Sequence, residues 1–466
     1  IELGKLSLWL NVIHKDMETP FFSNRLAVGN AVVGAWLKVY PTKELQEDLD
    51  SSGKPLRTQS KKEWWDKAPR LLEFKPSTNY VKTNHDRKAD EIYHFLLPDK
   101  NMLASAGIKM LKADYETESK AVTNWKKEWC KPLSKTEVEK LKTISTKIDE
   151  LLTDYYKFQR SINQATATKQ HIFGVPVKQL AAEMRSYDEK ERLADQRNRH
   201  NAPYFKLKMV MDYWCSLWFW DVREATAIPN RRQYWQDIEE ILKLDVNKAI
   251  EGMEDRRGQL TMFETGVQMS MVLEPGTSAV ENQAFTDVVV DSTQQQDLFD
   301  KNQRLVLVSQ LAKQYFFFHP QLEFLEVFWE RGGFDLIAGN PPWVNVEFDN
   351  EGFISSYNPL PLIRGLSSPE INIEMDLISS NDKIFSDLLL EELIEIESFR
   401  KFVSSIQNYK LLFGQKPNLY KSVIENSLSL INNNGVCGLL HPQGLYDDPF
   451  SEKFRNVLFK RLIYHF

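Results

Sequence analysis

The sequence predicts an α/β chain: a parallel, doubly wound sheet interrupted by a large, mainly helical insertion. Three observations carry this. Apolar strand-like runs end abruptly at proline twice, at Asn340-Pro341-Pro342 and at His441-Pro442. Strand and helix patterns alternate from residue 303 onward. Between about residues 41 and 302, Lys and Glu become dense, Gly becomes sparse and the apolar spacing turns helical.

The elements follow in order. In "IELGKLSLWLNVIH", Leu3, Leu6, Leu10 and Ile13 stand at helical spacing. "RLAVGNAVVGAW" reads as a short buried strand (Leu26–Val28), a Gly-Asn turn and a second apolar stretch. Val138, Leu141, Ile144, Ile148, Leu151, Tyr155 and Phe158 recur in steps of three and four, which predicts a long helix with a coiled-coil-like seam. Such a helix packs in a hairpin and needs no catalytic role. "MVMDYWCSLWFW" (Met209–Trp220) reads as an aromatic helix in the core of the insertion; the sharper alternative is a platform on which bases stack. Residues 252–302 are polar, rich in Gln, Ser and Thr, and read as a linker or surface arm. After a second insertion at 350–410, "NLYKSVIENSLSLINNNGVCGLLHPQGLY" gives an amphipathic helix (Leu419–Ile431), an Asn/Gly turn and a strand (Val436–Leu440). "SEKFRNVLFKRLIYHF" adds a helix and a strand. The expected organisation is a core in three pieces, 1–40, 303–349 and 411–466, split by insertions at 41–302 and 350–410.

Bulk properties bound the function. A chain of 466 residues suggests two to three domains. With 12 Trp and 27 Phe, it has the material for real cores and reads as soluble and globular. A net charge of −6 argues against a wholly basic nucleic-acid binder, yet leaves room for a local DNA cleft. Cys130, Cys215 and Cys437 are far apart, with no CxxC, so neither a disulfide framework nor a metal site is expected and a reducing cytoplasm fits. No apolar run approaches the roughly 18 residues of a membrane span, and no signal peptide is visible. The chain opens at Ile1 inside a helical pattern and closes on "RLIYHF", a strand entered and not left; it is expected to continue beyond both ends.

The chemistry concentrates in "GGFDLIAGNPPWVNVEF" (Gly332–Phe348). Asn340 offers one acceptor oxygen and two donor hydrogens without charge. Pro341 has a carbonyl but no N–H, and consecutive prolines stiffen the backbone away from helix. The corner therefore holds two acceptors, the Asn340 side-chain oxygen and the Pro341 carbonyl, beside the flat ring of Trp343. Two converging acceptors suit an exocyclic NH₂, and a flat wall suits the ring that carries it, as in adenine or cytosine.

"FDLIAGNPPW" resembles motif IV of DNA amino-methyltransferases, and Asn-Pro-Pro followed by an aromatic is typical of the N6-adenine enzymes. "ELGKLSLWL", "LAVGNAVVG", "NLYKSVIENSLSLI" and "GVCGLLHPQGLYDDP" are similar to successive core segments of large type IIG-like methyltransferases. With "FFFHPQLEFLEVFWERGGFD" and "MDYWCSLWFW", the chain looks most like the methyltransferases of DISARM and BREX phage-defence systems. The resemblance implies a Rossmann-like class I methyltransferase sheet, incomplete in this chain. The family's Gly-rich motif I strand and ribose-gripping acid would lie upstream of Leu3, and its target-recognition domain downstream; "GNAVVG" (Gly29–Gly34) is not motif I.

The resemblance further implies a cytoplasmic bacterial enzyme that uses S-adenosylmethionine and double-stranded DNA, with other phage-defence subunits as candidate partners. Asn340, Pro341, Pro342 and Trp343 would be catalytic. Asn30, Ala31, Gly339, Asn418 and Tyr420 would line the cofactor side, although Asn30 also reads as a plain turn residue. Lys410, Lys416, Lys421 and His441 are candidate DNA contacts; exposed lysines usually just solvate a face, and a strand-end His is often structural. The N6 amine is a poor nucleophile because its lone pair is delocalised. Hydrogen bonds to Asn340 and Pro341 favour a pyramidal nitrogen and stabilise its developing positive charge. The base must first leave the duplex. Two rivals stand beside this reading: the methyltransferase part of a single-chain restriction–modification enzyme, although no convincing PD…(D/E)xK nuclease pattern is present, and a non-catalytic DNA-binding subunit that keeps the fold.

Overall fold

The computed structural model describes residues 2–13, 21–22, 25–46, 64–76, 84–167, 186–195, 197, 202–244 and 298–463. They form a mixed α/β protein, mostly helical, with two small sheets. One sheet is antiparallel, in the order β2-β1-β3, from Lys38–Pro41 (β1), Arg70–Leu71 (β2) and Glu91–Tyr93 (β3). The other is a parallel pair, Phe334–Gly339 (β4) and Ile431–Leu439 (β5). Among the described residues the only parallel strand pair is this one, apart from a lone parallel bridge between Gln46 and Leu133, so the broad doubly wound sheet expected from the sequence is represented by one strand pair.

The helical insertion follows its sequence pattern. The helix Lys135–Ala165 opens on a reciprocal cap: Ser134 accepts from the Glu137 N–H, and the Glu137 carboxylate accepts from the Ser134 N–H. It buries Val138, Leu141, Ile144, Ile148, Leu151 and Tyr155 of the predicted seam, and Phe158 is half-buried. The helix Pro203–Phe219 starts with proline at its first position, where the missing N–H costs nothing. It is buried almost all round, and the Trp214 indole donates to the Leu97 carbonyl at 2.9 Å. Trp214, Trp218 and Trp220 have no exposed surface. They are core, and no ring of this segment is open for a base. One contiguous core runs from Val32 to Phe454. A smaller core of Ile354, Ile371, Met375, Phe385 and Leu389 holds together the helices Asn350–Tyr357, Ser368–Asn381 and Lys383–Ser404.

Leu26–Val28 is not a strand, and Val28 is 59% exposed. The chain after it, residues 30–37, runs irregularly against residues 316–321. The Asn30 N–H donates to the Phe316 carbonyl at 2.7 Å, the Phe318 N–H to Val33 at 2.9 Å, and the Ala35 N–H to His319 Nδ1 at 2.9 Å. Gly34 permits the approach, since a Cβ there would lie 1.6 Å from the Phe318 carbonyl oxygen. His319 is fully buried and its Nε2 lies 3.0 Å from Asp212 Oδ1. Because Nδ1 accepts from Ala35, the proton sits on Nε2 and points at Asp212.

Ile431, expected at the end of the helix, and residues 432–435, expected as a turn, are absorbed into β5. The register shift between Phe334 and Leu336 takes up the extra residues, and Asn432 donates to the Asp335 carboxylate at 2.7 Å. The helix Leu419–Leu430 stands as expected. Near the end, Glu452–Leu458 is helical, residues 459–463 carry no strand, and 464–466 lie outside the described residues. Most of the expected linker, residues 252–297, also lies outside them.

Candidate active site

The site is built where two parallel strands end side by side. Leu336 pairs with Val436, Ala338 with Gly438 and Gly339 with Leu439. The ladder runs one step further, with the Leu440 N–H donating to the Gly339 carbonyl at 3.1 Å. Asn340 and His441 therefore leave the sheet from the same edge, the carboxyl end, where open α/β sheets bind their ligands. Asn340 is exposed, Pro341 is buried and Pro342 is exposed. The buried proline fixes the corner while the amide faces solvent. A Cβ on Gly339 would meet only a Leu439 methyl, at 3.9 Å, so the backbone before Asn340 is open to approach.

Trp343 is 56% exposed, and its indole Nε1 donates to the Leu440 carbonyl at 3.3 Å. The chain then runs antiparallel to the start of the helix Leu419–Leu430. The Leu419 N–H donates to Val344 at 3.0 Å, and the Val346 N–H to Pro417 at 3.1 Å. Asn418 Nδ2 donates to Asn345 Oδ1 at 2.6 Å, while Asn418 Oδ1 caps the helix by accepting from the Tyr420 N–H at 3.2 Å.

The same helix start holds the loop after β5. The buried Tyr420 ring lies parallel to His441 at 6.0 Å, with 3° between the planes, and His441 in turn lies 5.7 Å from Tyr446. Lys421 is buried; its ammonium contacts Asp448 at 2.5 Å and Ser451 Oγ at 2.9 Å. Burial works to raise the Asp448 pKa, but the hydrogen bonds from Lys421, Ser451 and the Phe450 N–H outweigh it and hold the carboxyl down at about 2. The Tyr420 phenol is raised, by burial first and then by Asp448.

The sequence-predicted residues thus divide. Asn340, Pro341, Pro342, Trp343, Gly339, Asn418, Tyr420 and His441 meet around the two strand ends. Asn30 and Ala31 reach the same helix by another route: the Ala31 carbonyl accepts from Asn426 Nδ2 at 2.9 Å. Asn30 Oδ1 accepts from the Val32 N–H at 3.0 Å, which is the turn-forming role the sequence also allowed. Lys410 is exposed, and Lys416 is 86% exposed on its side chain, 3.1 Å from Glu347. Lys421 is engaged inside the chain and does not present its ammonium to solvent. Asn345, Asn426, Leu440 and Asp448 were not singled out from the sequence. Asn345 lies two residues past Trp343, but its partner is 73 residues away, and nothing local announces the pair.

At the corner itself stand the exposed Asn340 and Trp343 and the half-buried His441. Such a set accepts from an amine and stacks on a heterocycle. Among the described residues, no group of three or more His, Cys, Asp or Glu could hold a metal ion, and no helix is long and apolar enough to cross a membrane.

A family model described as Eco57I restriction-modification methylase matches residues 1–360, from the first helix through the corner and into the helix Asn350–Tyr357. No curated protein and no solved structure matches the chain.

Proposed function

We propose, for a chain that belongs to the Eco57I restriction-modification methylase family, that it is a DNA adenine-N6 methyltransferase acting at the corner Asn340–Trp343. Membership makes it a DNA methylase of the restriction-modification type and implies DNA and S-adenosylmethionine as its substrates. The choice of adenine, the residues that carry the reaction and a role in marking host DNA during phage defence are our reading. So is the placement of β4 and β5 within a wider Rossmann-like sheet.

The observation that carries it is the placement of Asn340. An uncharged amide stands in solvent at the shared carboxyl end of two parallel strands, beside an exposed indole pinned by its own N–H. An extruded adenine would present its NH₂ to Asn340 Oδ1 and the Pro341 carbonyl, and its ring to Trp343. Two fixed acceptors draw the amine toward a pyramidal geometry and stabilise the positive charge that forms on it. No titratable base is needed at Asn340. Holding the amine in line with the methyl donor then supplies much of the rate.

The cofactor side fits the residues present. Gly339 lets a ligand approach the backbone, and the neutral set Asn30, Ala31 and Tyr420 suits a purine with a cationic sulfonium better than a phosphate-bearing ligand, whereas the Asn418 amide is spent on Asn345 and on the helix cap. When bound, S-adenosylmethionine supplies the electrophilic methyl group. We assign Lys410 and Lys416, both exposed, to DNA phosphate, with Lys416 exchanging its Glu347 partner for it.

The test is methyl transfer by the full-length protein from labelled S-adenosylmethionine to unmodified DNA, followed by digestion to nucleosides. Label in N6-methyladenine is expected. Label in N4-methylcytosine would overturn the base assignment, and no label in DNA would overturn the activity.

A further inference from the structure

Two loops leave the sheet at the proposed active centre, and both are tied to one short stretch, Asn418–Lys421. Each of its four residues has a separate hold. Asn418 donates its amide to Asn345 at 2.6 Å. Leu419 donates its N–H to the Val344 carbonyl at 3.0 Å. Tyr420 lies flat against His441. Lys421 reaches Asp448 and Ser451. The first two hold the chain just past Trp343; the last two hold the loop that follows β5.

The corner has few other restraints of its own. Asn340, Pro342 and Trp343 are exposed, and beyond Trp343 the backbone is exposed through Asn345 before Val346 turns inward. Pro341 fixes the local shape but not the angle at which the corner meets the neighbouring loop. That angle is held by the backbone bridge across Asn345 and Asn418, by the amide bond between their side chains and by the indole bond to Leu440. Asn418 is committed on both sides of its amide: its oxygen caps the helix and its nitrogen holds Asn345. Rotation of that side chain would lose both bonds together.

We infer that Asn345 and Asn418 are positioning residues for methyl transfer: their amide clasp sets the Asn340–Trp343 corner against the loop after β5 without touching substrate. This rests on the methyltransferase reading above. Positioning of this kind acts on the chemical step, because reacting atoms must be aligned closely, whereas affinity depends on more widely spread contacts.

The experiment compares Asn345→Ala with Asn345→Asp in the full-length protein. Asp keeps an acceptor for Asn418 Nδ2, while Ala removes it. Single-turnover transfer is read on unmodified DNA, together with the apparent KM for DNA and for S-adenosylmethionine and the Tm. Asn345→Ala should slow transfer roughly three- to tenfold, with both KM values within about twofold. Asn345→Asp should recover the rate to within about twofold. A loss confined to Tm, or a loss that Asp fails to recover, would overturn the positioning role. So would a wild-type rate in Asn345→Ala. Asn340→Ala run alongside separates the two ideas: if it is inactive while Asn345→Ala is normal, the clasp falls and the methyltransferase reading stands. If Asn340→Ala is fully active, the reading itself falls.

Discussion

The Trp343 indole donates to the Leu440 carbonyl at 3.3 Å while its ring stays 56% exposed. An exposed aromatic normally samples several rotamers. Here one polar atom is spent on the neighbouring strand end, so the flat face is presented in one orientation. The bond also couples the two strand exits, because Leu440 is the residue that continues the ladder past Gly339.

Trp343→Ala removes both the face and the bond. Base stacking of this kind is worth roughly 1–3 kcal/mol, or about 5- to 150-fold in affinity for an extruded base. Trp343→Phe keeps a face and loses only the N–H, so it should be milder. DNA carrying 2-aminopurine at the target base gives the readout. Affinity for this DNA should fall in the order wild type, Phe, Ala, and equal affinities for all three would remove the stacking role.

Asn340→Ala is expected to abolish methyl transfer and leave the fold intact. The side chain is exposed, and exposed substitutions away from structural features usually change stability by no more than about 0.5 kcal/mol. Binding of DNA and of S-adenosylmethionine should persist. Transfer assays with parallel thermal melts check this, and a large drop in Tm would mean the amide is structural.

Much of this arrangement was legible in advance because it is local. Strand β4 is an apolar run cut by two prolines, and the helix Leu419–Leu430 follows its own periodicity. The helix Lys135–Ala165 shows its seam in the sequence. What was not legible is what depends on distant partners. Leu26–Val28 looks like a strand by composition, but the backbone bonds to Phe316 and Phe318 are made by the residues after it, Asn30 and Val33, in an irregular pairing. β1, β2 and β3 are two to four residues long, too short for a period-two pattern to register. Lys421 reads as a surface cation until Asp448 and Ser451 are seen around it. The clasp at Asn345 is invisible for the same reason.

His319→Leu should destabilise the protein by roughly 2–4 kcal/mol, since it strands the Ala35 N–H and one acceptor on Asp212 in the core. Burial pushes the His319 pKa below its ordinary value, although Asp212 pulls the other way. The folded protein therefore resists a proton that the unfolded chain accepts. That stability is present above the ordinary His pKa of about 6.5 and declines as pH falls through it. Denaturant melts between pH 7.5 and pH 5, on the order of the His titration range, should show a shallower pH slope in the variant. An unchanged slope would mean that His319 protonates freely in the native state.

Asp448 gives the opposite titration. Its carboxyl is held at about 2 in the folded protein, against an ordinary value of 3.8. A carboxyl with a depressed folded pKa lends stability that is complete above its unfolded value and is lost as pH falls toward its folded one. The window therefore runs from about pH 4 down to about pH 2. Lys421→Met deletes the ammonium but keeps most of the buried chain, so it should cost less than Lys421→Ala, which also opens a cavity. In both variants the Asp448 pKa should rise toward its ordinary value and the acid-dependent loss across that window should shrink. NMR titration of the Asp448 carboxyl, followed with acid melts of wild type and Lys421→Met, makes the comparison. If the carboxyl stays at about 2 without Lys421, the backbone and Ser451 bonds hold it alone, and Lys421 is not what ties the loop after β5 to its helix.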